Sequence, residues 1–199
     1  MASPMLALPA AGTSGTGAEA RRNSLPLGVA VAGAGIAALM GGLIAAYLAL
    51  KAAPGPFIPE DTSFDNYTAA TLAITVGMAM VTIEWANYGI RKNFRGQALF
   101  GFGITVLLEI ATLNALYYLI TKLPFEVADG AYQAVVHALL GVPFLLFVAA
   151  LLATILTALR AVGHQLTTDN LHLARATALL LHIAAVAYVA AYYTVYVTK

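Results

Sequence analysis

The hydrophobic pattern of the chain is a set of long, almost uninterrupted apolar runs separated by short polar breaks. Leu27–Leu50 carries no charge over 24 residues. Thr68–Ile90 contains one ionisable carboxyl, Glu84, and Ala98–Thr121 contains one, Glu109. Ala131–Leu159 is free of charge but holds Pro143, and Ala174–Val197 has Arg175 at its edge. Each run exceeds the roughly 20 residues that a helix rising 1.5 Å per residue needs to cross a hydrocarbon core of about 30 Å. Strands of a membrane barrel would read as segments of about 10 residues with alternating polarity, a pattern absent here. The expectation is an all-α, polytopic membrane protein with spans at 27–50, 68–90, 98–121, 131–159 and 174–197. Residues 27–199 then form one five-helix domain, preceded by a flexible Gly/Ser/Ala-rich segment, residues 1–26.

Composition agrees with the pattern. Of 199 residues 61% are hydrophobic and 10% charged, against about a quarter charged in soluble domains, and the mean hydropathy is +0.83. This excludes a soluble globular fold, a disordered chain and a nucleic-acid binder with a basic face. The absence of cysteine excludes disulfides, thiolate catalysis, iron–sulfur ligation and Cys-bound zinc.

The placement of charge predicts direction. Arg21, Arg22, Arg91, Lys92, Arg95, Arg160 and Arg175 fall on one side of the five spans, and Lys51, Lys122 and Lys199 on the other. The second side also carries Glu60, Asp61, Asp65, Glu126 and Asp129. Basic residues collect on the cytoplasmic side, so the N-terminus is expected inside and the C-terminus outside. Arg21–Arg22 reads as an inside anchor in preference to a twin-arginine export signal, because the apolar stretch after it is too long. Tyr47, Tyr67, Tyr117, Tyr118, Tyr132, Tyr192, Tyr193 and Tyr196 cluster at the expected outer ends, where interfacial anchors belong.

Small residues recur every four positions at Gly33, Ala37, Gly41 and Ala45, a spacing that lets a neighbouring helix approach closely. Its partner helix, in this chain or another, is left open by the pattern.

Few side chains are placed for chemistry. His137 and His182 lie about 9 Å and 12 Å deep from opposite faces, at heights that suit a shared haem poorly, and both read as interhelical hydrogen-bonding groups. His164 and His172 fall in a loop without a metal-ligand ladder. Glu109 lies about halfway through its span and should be protonated, paired or beside a water-filled cavity. A proton relay remains open. A neutral carboxyl bonded between helices, with Asn114 or a histidine as partner, is favoured because no second ionisable residue extends a path. Glu84 is expected to be screened by Arg91 or Lys92. No catalytic, cofactor or metal site is expected on this chain.

Several collinear motifs are similar to those of subunit III of the haem–copper terminal oxidases, in the five-helix bacterial form. They are Gly42-Leu43-x-Ala45-Ala46-Tyr47-x-x-Leu50-Lys51, Glu84-Trp85-Ala86 before a basic turn, and Leu107-Leu108. Asp129-Gly130-x-Tyr132 with Gly141, Arg160 with Gly163-His164, and His182 with Tyr188 and Tyr196 continue the order. The resemblance covers roughly residues 27–197. It implies a cytochrome c oxidase subunit of an aerobic respiratory chain, in the bacterial cytoplasmic (inner) membrane, with no active site of its own. Its partners would be the catalytic subunit I, other respiratory subunits and membrane phospholipids, with haem and copper on the partner subunits. Gly42, Tyr47, Tyr132, Gly141, His182 and Tyr196 are the packing and hydrogen-bonding candidates. Where the family keeps polar groups in its lipid cleft, this chain has Gly35, Ile36, Pro143, Leu146, Leu181 and Ala185, so the resemblance implies the family's position and not a proton-related role. Two other readings are an accessory subunit of a quinol oxidase or nitric oxide reductase, and a small carrier or channel using Glu109 and His182. The five spans, interrupted only by Pro143, fit poorly with the inverted repeats of a carrier.

Overall fold

A computed structural model describes residues 15–53, 64–166 and 171–198, with side chains from residue 24 onward. The outer-side acids Glu60 and Asp61, and Lys199, lie outside the described residues, as does most of the N-terminal segment. Five long helices account for nearly all of it: α1 (Gly15–Ala52), α2 (Asn66–Arg91), α3 (Arg95–Thr121), α4 (Ala131–Val162) and α5 (His172–Tyr192). All five are long and apolar enough to cross a membrane, and no strand occurs among the described residues.

Helix ends fall within three residues of the expected spans, with two exceptions. α1 starts upstream, at Gly15, and runs through Pro26. α5 passes at its end into a π-turn, Tyr193–Val197. Pro143 sits inside α4 without ending it, as membrane helices tolerate when neighbours pack around the freed carbonyl.

Paired positions give the arrangement. Gly89 lies against Ala98 and Gly101 against Ala86, so α2 and α3 are antiparallel. Thr157 meets Thr177 and Arg95 meets Val162, so α4 runs antiparallel to both its neighbours. Asn87 meets Ala174 while Ala69 meets Tyr188, which closes α2 onto α5. The helices α2, α3, α4 and α5 therefore form a four-helix ring, and α1 packs outside it on α5 and α4. Arg91, Lys92, Arg95, Arg160 and Arg175 gather where α2 ends and α5 begins, the basic end of the bundle.

The α2–α3 seam is the tightest. A Cβ on Gly101 would come 2.8 Å from the Cβ of Ala86 and about as close to its backbone, and one on Gly89 would come 2.8 Å from the amide nitrogen of Ala98. α1 is the opposite case. Among its described side chains only Met40 and Tyr47 are buried. Gly33 of its small-residue row meets Ile183 of α5, whereas Gly41 and Gly42 have open space around them, as does Gly141 on α4.

The two helix ends at the basic end close alike. Asn93 and His164 have φ of 60° and 57°. The amide of Phe94 bonds the carbonyl of Gly89 and that of Gln165 bonds Arg160, each across six residues. This is the left-handed cap that satisfies the last carbonyls of a helix. Arg95, opening α3, donates to the Val162 carbonyl at 2.6 Å and meets the His164 ring, placing a cation on the negative end of α4.

Candidate functional site

Each seam of the ring carries at least one polar side-chain contact. Between α2 and α3, the hydroxyls of Thr82 and Thr105 are 2.9 Å apart. Between α3 and α4, Thr154 lies 3.0 Å from a carboxyl oxygen of Glu109. Between α4 and α5, Thr157 and Thr177 are 2.8 Å apart. Between α5 and α2, the Tyr188 hydroxyl donates to the Ala69 carbonyl at 2.7 Å, and Asn87 donates to Ala174 at 3.4 Å. Such ties have no competing water in the hydrocarbon and fix which helix faces meet.

Glu109 is fully buried. Its partner is Thr154; Asn114, considered from the sequence, points outward on the exposed face of α3. The second carboxyl oxygen and the nearby Thr112 hydroxyl are buried without a hydrogen bond. Glu84, by contrast, is half exposed at the basic end and pairs with Arg91 at 3.7 Å.

The intramembrane histidines bond within their own helices and not between helices. Nδ1 of His137 faces the Gln133 carbonyl at 2.9 Å, and Nδ1 of His182 faces the Ala178 carbonyl at 2.5 Å. A carbonyl can only accept, so Nδ1 carries a proton in each. Among the described residues, no group of His, Asp and Glu side chains could hold a metal ion.

At the end opposite the basic residues, three of the eight expected interfacial tyrosines turn inward. Tyr47, Tyr132 and Tyr196 are buried. Tyr47 packs on Tyr132 at 6.0 Å between ring centres, Tyr132 on Phe125 at 5.7 Å, and Tyr196 on Phe64 at 5.7 Å. Tyr67, Tyr117, Tyr118 and Tyr193 are exposed, as anchors require. Lys51 at the end of α1 donates to the Thr198 carbonyl, tying α1 to the last turn of the chain.

Two adjoining cavities run along the outward side of α5. One, of about 400 Å³, lies between α2 and α5 at the basic end and is lined by Glu84, Asn87, Arg91, Arg175 and His182. The other, of about 420 Å³, lies between α1 and α5, and among its walls are Gly33, Met40, Ile44, Ile183, Val186 and Ala190. His182 borders both. Together they make a groove that is polar at one end and apolar along the rest. Sequence reasoning found His182 and Glu84 but not the groove, since it depends on α1 standing outside the ring.

No protein-family model matches this chain, and no curated protein matches it.

Proposed function

We propose that the chain is a non-redox structural subunit of a membrane respiratory complex, resembling subunit III of the haem–copper oxidases. In this reading it packs laterally on the catalytic subunit, holds phospholipid and supports the stability of the assembly, while partner subunits carry haem and copper. The observation that supports it best is the use of the interior polar groups. Every seam of the α2–α5 ring carries a polar tie, which is the economy of a scaffold whose chemistry is its own rigidity. The apolar outer faces of α1 and α3 are left free for lateral contact. A carrier would need Glu109 and His182 on a common path; Glu109 is sealed between α3 and α4, and His182 faces the outward groove.

In the same reading the basic end faces the cytoplasm of a bacterial cell, by the excess of Lys and Arg there. Extraction in a mild detergent tests the proposal. The expected result is co-purification with a larger, haem-containing subunit visible by its absorption spectrum. Isolation from native membranes as a haem-free homo-oligomer would overturn it.

A further inference from the structure

We propose that the outward face of α3 is an interface with a second copy of this chain, centred on Asn114 and related by a two-fold axis along the membrane normal. The proposal goes beyond the function above and uses only that α3 crosses a membrane.

An unpaired amide is the first argument. Asn114 is exposed on α3, and its side chain has no hydrogen-bond partner among the described residues. The 27 residues of α3 measure about 40 Å, so they overshoot a hydrocarbon core of about 30 Å by about 5 Å at each end. Asn114 stands two turns before the last residue, Thr121, about 10 Å from the helix end and so about 5 Å inside the hydrocarbon. Tyr117 and Tyr118, exposed one turn further along, mark the interface. A helical side chain leans toward the N-terminus of its helix, which carries the amide of Asn114 away from the nearer water. Lipid tails offer it no partner, and a polar group left in that state is costly. Other outward faces make no such demand. Between Leu27 and Leu50 the only hydrogen-bonding side chain of α1 is the buried Tyr47, and α4 presents Leu145, Leu152 and Leu156.

The row that carries Asn114 is the second argument. Gly96, Phe100, Gly103, Leu107, Ile110 and Asn114 are all exposed and follow one another in alternating steps of four and three residues. This is the seam spacing of two helices that wind around each other at a shallow angle. The row lies opposite the face that α3 gives to its own ring, where Thr105, Glu109 and Thr112 are buried. A Cβ on Gly96 or Gly103 would meet nothing within 4 Å, so a second backbone has room to come close at both.

Symmetry selects the occupant. Copies inserted under the same charge rule share one orientation in the membrane, so a two-fold axis relating two of them runs along the membrane normal. Each residue of the row then meets its own twin at the same depth, and the face must complement itself. An amide does so: its nitrogen donates to the oxygen of the twin, and its oxygen accepts in return. The row holds no charged residue that would confront its like.

The native chain has no cysteine, so single cysteines can test the contact. Ile110→Cys places one in the row, a turn from Asn114, and Leu152→Cys places one on the outward face of α4. Oxidation in native membranes should join Ile110→Cys into a product of twice the 20.7 kDa chain mass and leave Leu152→Cys single. Asn114→Leu added to Ile110→Cys should cut the joined fraction. In detergent, sedimentation should show dimer affinity lowered about fivefold or more by Asn114→Leu. Asn114→Gln keeps the amide and should weaken the pair less. At dilutions where both are monomeric, Asn114→Leu should melt like the wild type, which separates lost pairing from lost fold. An Ile110→Cys chain that stays single, joins a larger protein instead, or pairs equally with and without Asn114 would overturn the proposal. A haem protein co-purifying with a chain that stays single would sink this inference and spare the function proposed above. A joined pair free of haem would do the reverse.

Discussion

The hydroxyl of Thr154 lies 3.0 Å from Glu109 and 3.0 Å from the carbonyl of Ala150 in its own helix. It has one hydrogen to donate. Both contacts are satisfied together when Thr154 donates to Ala150 and the Glu109 carboxyl carries its own proton and donates to Thr154. An ionised carboxylate here would have no counter-charge and would be costly in hydrocarbon. The expected signature is a protonated carboxyl stretch in the infrared spectrum of the wild type that disappears in Glu109→Gln. Because glutamine can donate to Thr154 in the same way, Glu109→Gln should stay within about 1 kcal/mol of wild-type stability. A carboxylate band at that site, or a large loss in Glu109→Gln, would contradict the assignment.

Glycine substitutions should separate the seams from the outer faces. Gly101→Ala drives a methyl into the backbone of Ala86 and is expected to cost about 1–3 kcal/mol. Gly42→Ala and Gly141→Ala meet nothing within 4 Å and should leave the melting temperature of the isolated chain unchanged. Thermal denaturation in detergent followed by circular dichroism measures all three. If Gly42→Ala weakens assembly with a partner while sparing the chain's own stability, the side of α1 that carries Gly42 is an intersubunit face.

The contrast between Gly101 and Gly42 also explains how far the sequence could be read. Span lengths and ends were legible because crossing a hydrocarbon core demands about 20 apolar residues, whatever lies beside them. Which side of a span faces protein was not, because lipid and protein interior are equally apolar and leave no periodic contrast. Gly42 and Gly101 look alike in such a pattern, yet one is open and the other pressed on Ala86. Glu109 could be recognised as embedded from its apolar neighbours. Its partner could not, since Thr154 is 45 residues away and one of two threonines on α4. Tyr47, Tyr132 and Tyr196 read as surface anchors from their place at the span ends and as packing residues from the family resemblance; the meeting of α1, α4 and the turn after α5 brings them inside. The groove beside His182 is the least legible feature of all, because it is a gap between helices and not a motif on one.

Orientation can be measured directly because the native chain has no cysteine. Single cysteines at exposed loop positions would each report one side. Gln165→Cys, after α4, lies with the basic residues, and Val127→Cys lies in the turn before α4. With the basic end in the cytoplasm, a membrane-impermeant maleimide should label Val127→Cys in intact cells or right-side-out vesicles. Gln165→Cys should label only after permeabilisation. The reverse pattern would invert the proposed topology and move the groove's polar mouth to the outer leaflet.

Asp65 gives the chain a pH dependence of known sign. It caps α2, accepting the Thr68 amide at 2.9 Å on one carboxyl oxygen and the Thr68 hydroxyl at 2.5 Å on the other. Those bonds, the side-chain one first and then the backbone one, hold its pKa below the ordinary carboxylate value. A carboxyl whose folded pKa is depressed adds stability that is fully present above the unfolded value, about 3.9. It is lost as pH falls through the lower, folded value. The negative charge also favours the positive end of α2. Asn keeps an acceptor at the cap position but cannot ionise, which makes Asp65→Asn the informative variant. The wild type should melt above Asp65→Asn at pH 7, and that gap should hold steady down to about pH 5. On further acidification the two melting curves should converge, because the protonated aspartate becomes, like asparagine, a neutral cap. A gap that is constant from pH 7 to pH 2 would mean that the cap acts through its hydrogen-bond geometry alone and that its charge contributes nothing.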